Sequence, residues 1–250
     1  MKVMASAWEE VKAPLSEGLT PQERSDKTAE LSELVTKVAT YVICRTLVDY
    51  GELLEDERTS IAHAFLQRVT STHMCNHQLT AEGLVYQYQD KTFVLQEAYK
   101  TMTLTRSVYE HLVMFYFLFE HPRTEEEREE VWRYWKRTGQ IMLKEEEGER
   151  KLTYSQAWKY LFENEDLSLL YRHLSMHCHP VYKGLQQYQN QSPSEEGDDW
   201  VPLYLSSCFV AYLCRLFLKQ VPGGNTIAKE GFTRREQSVF NALSRVLTTS

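Results

Sequence analysis

Apolar residues recur at helical spacing over most of the chain. From about Ala29 to Leu54, the residues Leu31, Leu34, Val35, Val38, Tyr41 and Val42 form one stripe between charged neighbours, which predicts an amphipathic helix. Ile61, Ala62, Phe65 and Val69 mark a second helix over about Arg58 to Val69, with Thr70-Ser71-Thr72 as a loop or cap after it. His73 and His77, beside Cys75 and Asn76, then read as surface or helix-terminus histidines, and Thr80 as a cap for the turns that follow. The alternation in Val85-Tyr86-Gln87-Tyr88-Gln89 fits a strand as well as it fits a helix.

A longer helix is expected over about Thr92 to Phe119. Its end, Leu112 to Phe119, is apolar on every side, the pattern of a helix in the middle of a bundle, and Pro122 stops it. Thr124 with Glu127 three residues on is a capping box, opening a helix that carries Val131, Trp132 and Trp135 towards Leu143. Thr153 caps a short helix with Trp158 and Leu161, and another starts near Asp166 and reaches Pro180. The polar run over 189–199 is an exposed loop. After it, Val201 to Lys219 is a second helix without an exposed face, Pro222-Gly223-Gly224-Asn225 breaks it, and Thr233 to Leu247 is the last helix. The expected architecture is all-α: a single multi-helix bundle over 29–250 with buried central helices, preceded by a partly helical extension over 1–28.

Composition agrees with this. Only 10 Gly and 7 Pro in 250 residues leave too few turn formers for a many-stranded sandwich or a Gly-rich nucleotide fold. A hydrophobic content of 42% excludes a disordered chain. The net charge of −7 argues against binding to duplex DNA, although a local basic pocket could still take RNA. Val201 to Cys214 carries no charge but is shorter than the ~20 apolar residues of a membrane span, so no membrane segment is expected. Cys44, Cys75, Cys178, Cys208 and Cys214 are odd in number and form no CxxC pair. They read as free thiols of a cytoplasmic protein.

The chemistry concentrates in Tyr171-Arg172-His173-Leu174-Ser175-Met176-His177-Cys178-His179-Pro180. His173 and His177 have the i,i+4 spacing at which two imidazoles can share a zinc. Leu174-Ser175-Met176 between them excludes an HExxH site, so no metal or other cofactor is expected. Arg172 supplies a guanidinium that matches a phosphate, and His177 a proton carrier near neutral pH. On one regular helix the two stand about 140° apart, so convergence on one phosphate needs a local break or a second protomer. Upstream, Arg106 and Glu110 lie one turn before the all-apolar stretch. Charges there are expensive unless paired, which predicts a partly buried ion pair, a candidate site wall, or both.

Arg172-His173-x3-His177 resembles the Arg-polar-x3-His signature of HEPN domains, helical modules of toxin and defence ribonucleases. The resemblance implies metal-independent RNA cleavage at a homodimer cleft. Arg172 would hold the scissile phosphate, His177 would act as acid/base, and His173 would be the auxiliary polar residue. A second resemblance covers roughly 95 to 185. Arg106-x3-Glu110 with Tyr171-x2-Leu174-Ser175-x3-His179 is similar to a bacterial all-helical family of unknown function, and it selects His179 rather than His177. Beside the ribonuclease stands the alternative of a non-catalytic domain that binds another protein or a small ligand. There Arg106, Glu110, Tyr171, Ser175 and His179 would support the fold.

Overall fold

In the computed structural model, residues 18–81, 84–95, 98–142, 174–175 and 200–245 are described. Among them are seven α-helices: α1 (Pro21–Asp49), α2 (Glu57–Ala81), α3 (Ala98–Phe119), α4 (Glu125–Met142), α5 (Val201–Gln220), α6 (Gly224–Gly231) and α7 (Arg234–Arg245). A 3₁₀ turn, Gly51–Glu55, joins α1 to α2. The architecture is an all-α bundle with one antiparallel hairpin, β1 (Leu84–Tyr88) and β2 (Lys91–Leu95), between α2 and α3. The alternation noted at Val85–Gln89 is therefore a strand. The turn places Gln89 at φ 53°, a left-handed conformation that suits the twist of a two-residue hairpin. Thr92, expected to open a helix, lies in β2, and α3 begins at Ala98.

Helix α5 is the centre and packs against α1, α2, α3, α6 and α7. Residues Val201 to Ala211 are buried without a break, which is why that stretch carries no charge. By length and apolarity α5 could cross a membrane, but 83% of its apolar window is covered by the rest of the bundle. The apolar end of α3 is buried as expected, with Leu112 and Phe115 fully enclosed.

Helix α1 starts at Pro21, eight residues before the expected position. Thr20 and Glu23 form a reciprocal capping box there, and Pro21 at the first helical position needs no N–H partner. Its inner face is Thr28, Ser32, Val35, Ala39, Val42 and Thr46, spaced 4-3-4-3-4 and all fully buried. Helix α2 does not stop at Val69 but continues for twelve residues. Its inner face, Ala62, Leu66, Val69, His73 and Asn76, repeats the same spacing. Thr70-Ser71-Thr72 is helix interior, where Thr72 Oγ1 donates to the Arg68 carbonyl. Thr80 does not cap a new helix but sits in the last turn of α2, bonded to the Asn76 carbonyl.

At α4, Thr124 Oγ1 accepts from the Glu127 N–H, while Glu127 reaches past it to the Arg123 N–H. The cap is real, but the glutamate arm serves the preceding residue. Ion pairs from α1 hold the C-terminal helices: Lys37 with Glu236, Glu30 with Arg235, and Arg45 with Glu230.

Candidate functional site

Arg172, His173, His177, Tyr171, His179 and Cys178 lie outside the described residues, as do the helices expected from Thr153 and Asp166 and the loop over 189–199. Two residues of the segment are described. Leu174 is helical and fully buried in the same core as α3 and α5. Ser175 beside it is half-buried, and its Oγ is enclosed without a hydrogen-bond partner among the described residues.

Arg106 and Glu110 pair as their position demands. The Arg106 Nε donates to Glu110 Oε1 at 2.9 Å, and the side chains retain 18% and 24% of their exposure. Two charges at the edge of an apolar core are thus held together one helical turn apart.

A second cluster lies deeper and was missed by pattern reading. His73 is completely buried. Its Nε2 is 3.0 Å from Ser32 Oγ on α1, and its Nδ1 is 2.8 Å from Ser206 Oγ on α5. The same Ser32 hydroxyl lies 3.0 Å from His77 Nδ1. His77 is only partly buried, and its Nε2 faces the exposed Glu33 carboxylate at 4.0 Å. One turn along, the Asn76 amide donates to Thr105 Oγ1 at 2.9 Å, and Thr105 donates to the Pro202 carbonyl at 2.9 Å. Serine, histidine, asparagine and threonine thus join α1, α2, α3 and α5 at one level of the bundle.

His73 and His77 are therefore interior residues of α2, and the first of them is core. Their surface reading came from the hydroxyl-rich neighbours, which resemble a helix end. The available signal was the 4-3-4-3 recurrence of Ala62, Leu66, Val69, His73 and Asn76, which places both polar residues on the apolar face. Burial pushes the His73 imidazole down to about 4, so the ring is neutral at physiological pH. An enclosed neutral ring with both nitrogens engaged is suited to holding helices, not to meeting substrate.

A cleft between α2, α3, α4 and α5 is lined by Arg58, Ala62, Phe119, Arg128, Trp132 and Gln220. Its cations are engaged. Arg58 binds Glu125 at 2.7 Å and Glu129 at 2.5 Å over the face of Trp132, and Arg128 lies 3.6 Å from Glu125. Burial pushes the Cys208 thiol up to about 12, and Cys214 shifts the same way, so neither is a nucleophile at neutral pH. Among the described residues, no three His, Cys, Asp or Glu side chains gather where a metal ion could be held.

Fold and site together define an all-α bundle tied at its centre by a buried hydroxyl–imidazole network. No family model, curated protein or solved structure matches the chain.

Proposed function

We propose that the chain is a non-catalytic helical recognition domain, binding another protein or a small ligand, in which the Arg106–Glu110 pair and the His73 network support the fold. The observation that carries this reading is the 2.9 Å bond from Arg106 to Glu110. A guanidinium held by a carboxylate of its own helix is neutralised, and a phosphate would have to displace that carboxylate. The cleft arginines are matched by glutamates in the same way. With free thiols at Cys44, Cys75, Cys208 and Cys214, a reducing cytoplasm is the compartment that suits the chain.

The complete burial of Leu174 favours a second reading, a metal-independent endoribonuclease. It pins the middle of the Arg172–His177 segment to the bundle, the anchoring that a phosphate-gripping Arg172 and an acid/base His177 require. That reading calls for a homodimer, so that one protomer's histidine meets the other's arginine.

One experiment separates the two. The purified chain is incubated with mixed RNA in EDTA, beside the double variant Arg172→Ala/His177→Ala, with both proteins checked for folding by circular dichroism. A recognition domain leaves the RNA intact in both samples. Fragments with 2′,3′-cyclic phosphate ends, formed by the parent and not by the folded variant, overturn it in favour of the nuclease.

A further inference from the structure

The buried network is a continuous chain from surface to core: Glu33, His77, Ser32, His73, Ser206. Its two hydroxyls each carry one hydrogen, and a neutral imidazole carries one N–H and one acceptor nitrogen. Among the described residues Ser32 Oγ bonds to the two rings alone, so with its hydrogen kept inside the chain the three bonds run head to tail, in one of two directions. With the His77 hydrogen on Nε2, towards Glu33, its Nδ1 accepts from Ser32. Ser32 must then accept from His73 Nε2–H, and His73 Nδ1 accepts from Ser206. If His77 is doubly protonated, every bond reverses. His77 Nδ1–H donates to Ser32, Ser32 donates to His73 Nε2, and His73 carries its hydrogen on Nδ1, facing Ser206.

We propose that this chain is a pH-responsive relay, in which protonation of His77 at the surface switches the tautomer of the buried His73 and turns the Ser206 hydroxyl on the central helix. One proton is taken up from solvent and resides on His77. Ser32, His73 and Ser206 keep one hydrogen each. His73 loses its Nε2 hydrogen to water and gains one from water at Nδ1 during local opening of the bundle, because transfer along the chain alone would leave Ser206 one hydrogen short. The displaced Ser206 hydrogen turns to the carbonyl one turn earlier in α5, the usual partner of a helical serine. That carbonyl belongs to Pro202, which already accepts from Thr105, so the switch reaches the contact between α3 and α5.

Among the described residues, few charged groups face the relay. On α1 the His77 ring meets Ser32 and the Glu33 carboxylate, and on its own helix it meets His73. Helix α5 has no charge from Val201 to Cys214. The charged pair of α3, Arg106 and Glu110, is bonded together, and Glu52 and Glu55 of the 3₁₀ turn adjoin the other end of α2. The low affinity of the enclosed His73 ring for a second proton keeps it neutral at physiological pH, so its response is a change of tautomer and not of charge.

The test is a titration of the full ¹⁵N-labelled chain from pH 8 to pH 5, followed by long-range proton–nitrogen spectra of the histidine rings. As His77 becomes doubly protonated, the two His73 nitrogens should exchange their pyridine-type and pyrrole-type positions at the same midpoint. In His77→Gln, which does not titrate, His73 should keep one tautomer throughout. In Ser32→Ala, His77 should titrate and His73 should not follow. The proposal is overturned if His73 is unchanged while His77 titrates in the parent, if it takes up a second proton at that midpoint, or if its switch persists in folded His77→Gln.

Discussion

The two ends of α2 solve the same packing problem differently. At the N-terminal end, Phe65 meets the Phe115 ring edge-on at 6.0 Å, Phe115 meets Phe119 at 4.7 Å, and Phe119 meets Trp132 at 6.0 Å. At the C-terminal end the same helix face is His73 and Asn76, joined to Ser32, Thr105 and Ser206. Phe115 at one end and His73 and Asn76 at the other are fully buried. The aromatic end is held by area and dispersion, which tolerate small rotations. The polar end is held by directed bonds, whose failure leaves a buried group unsatisfied. One end is thus held by buried aromatic area, and the other by directed bonds that join four helices.

The largest effect should come from emptying the aromatic end. Phe115→Ala is expected to lower stability by about 3–5 kcal/mol, the cost of a phenyl-sized deletion in a closed core. Urea denaturation measures it as a shift in midpoint at unchanged slope. A loss under about 1 kcal/mol would place Phe115 outside the core and remove the contrast between the ends.

The polar end should announce itself through acid. His73 is held at about 4 when folded, against about 6.5 in the unfolded chain. Between those values the unfolded chain binds the additional proton, so stability is whole above pH 6.5 and falls as the pH drops towards 4. The full loss is of order 3 kcal/mol at about 1.4 kcal/mol per unit. Denaturant midpoints at pH 7 and pH 4.5 should differ accordingly, and His73→Phe should flatten that difference even where it lowers stability overall. An unflattened slope would assign the acid sensitivity to other groups.

Much of this fold was legible in the sequence, and the reason differs by region. Helix α5 announced itself because a helix covered on all sides can carry no charge, and Val201 to Cys214 carries none. Arg106 and Glu110 were paired in advance by the cost of leaving them alone beside Phe115 and Phe117. The polar end of α2 was hidden because serine, threonine and asparagine usually mark helix ends. Here their partners come from other helices, distant in sequence: Ser32 lies 41 positions from His73, and Ser206 lies 133. The start of α1 was missed for the opposite reason, since its signal, Thr20-Pro21-x-Glu23, precedes the apolar stripe.

Between the two ends stands the Arg106–Glu110 pair, neither dry nor fully enclosed. Glu110→Gln should cost about 1–2 kcal/mol, between the values for exposed and buried pairs, because an arginine that is 18% exposed recovers part of its hydration. A thermal melt series with Arg106→Met and the double variant gives the coupling. A neutral Glu110→Gln would mean that the guanidinium is held by other groups, and would remove the main support for a closed, structural pair.

The smallest effect belongs to the surface tie between α1 and α7. The Lys37 ammonium, 2.6 Å away, and next the Thr233 N–H hold the Glu236 carboxyl down to about 2. A depressed folded value means that this stabilisation is present above the unfolded value near 4.3 and is lost as the pH falls through 2. Lys37 is 74% exposed, so Lys37→Met should cost under about 1 kcal/mol at pH 7 and less still in high salt. The variant and parent should converge as the pH drops from about 4.5 towards 2, a window that overlaps that of His73 only between about 4.5 and 4. The two acid responses are therefore separable: Lys37→Met leaves the limb between pH 6.5 and 4.5 unchanged, and His73→Phe leaves the limb below it. A Lys37→Met curve that instead changes above pH 5 would show that the tie to α7 and the buried network are energetically coupled, and that the polar end of the bundle extends to its surface.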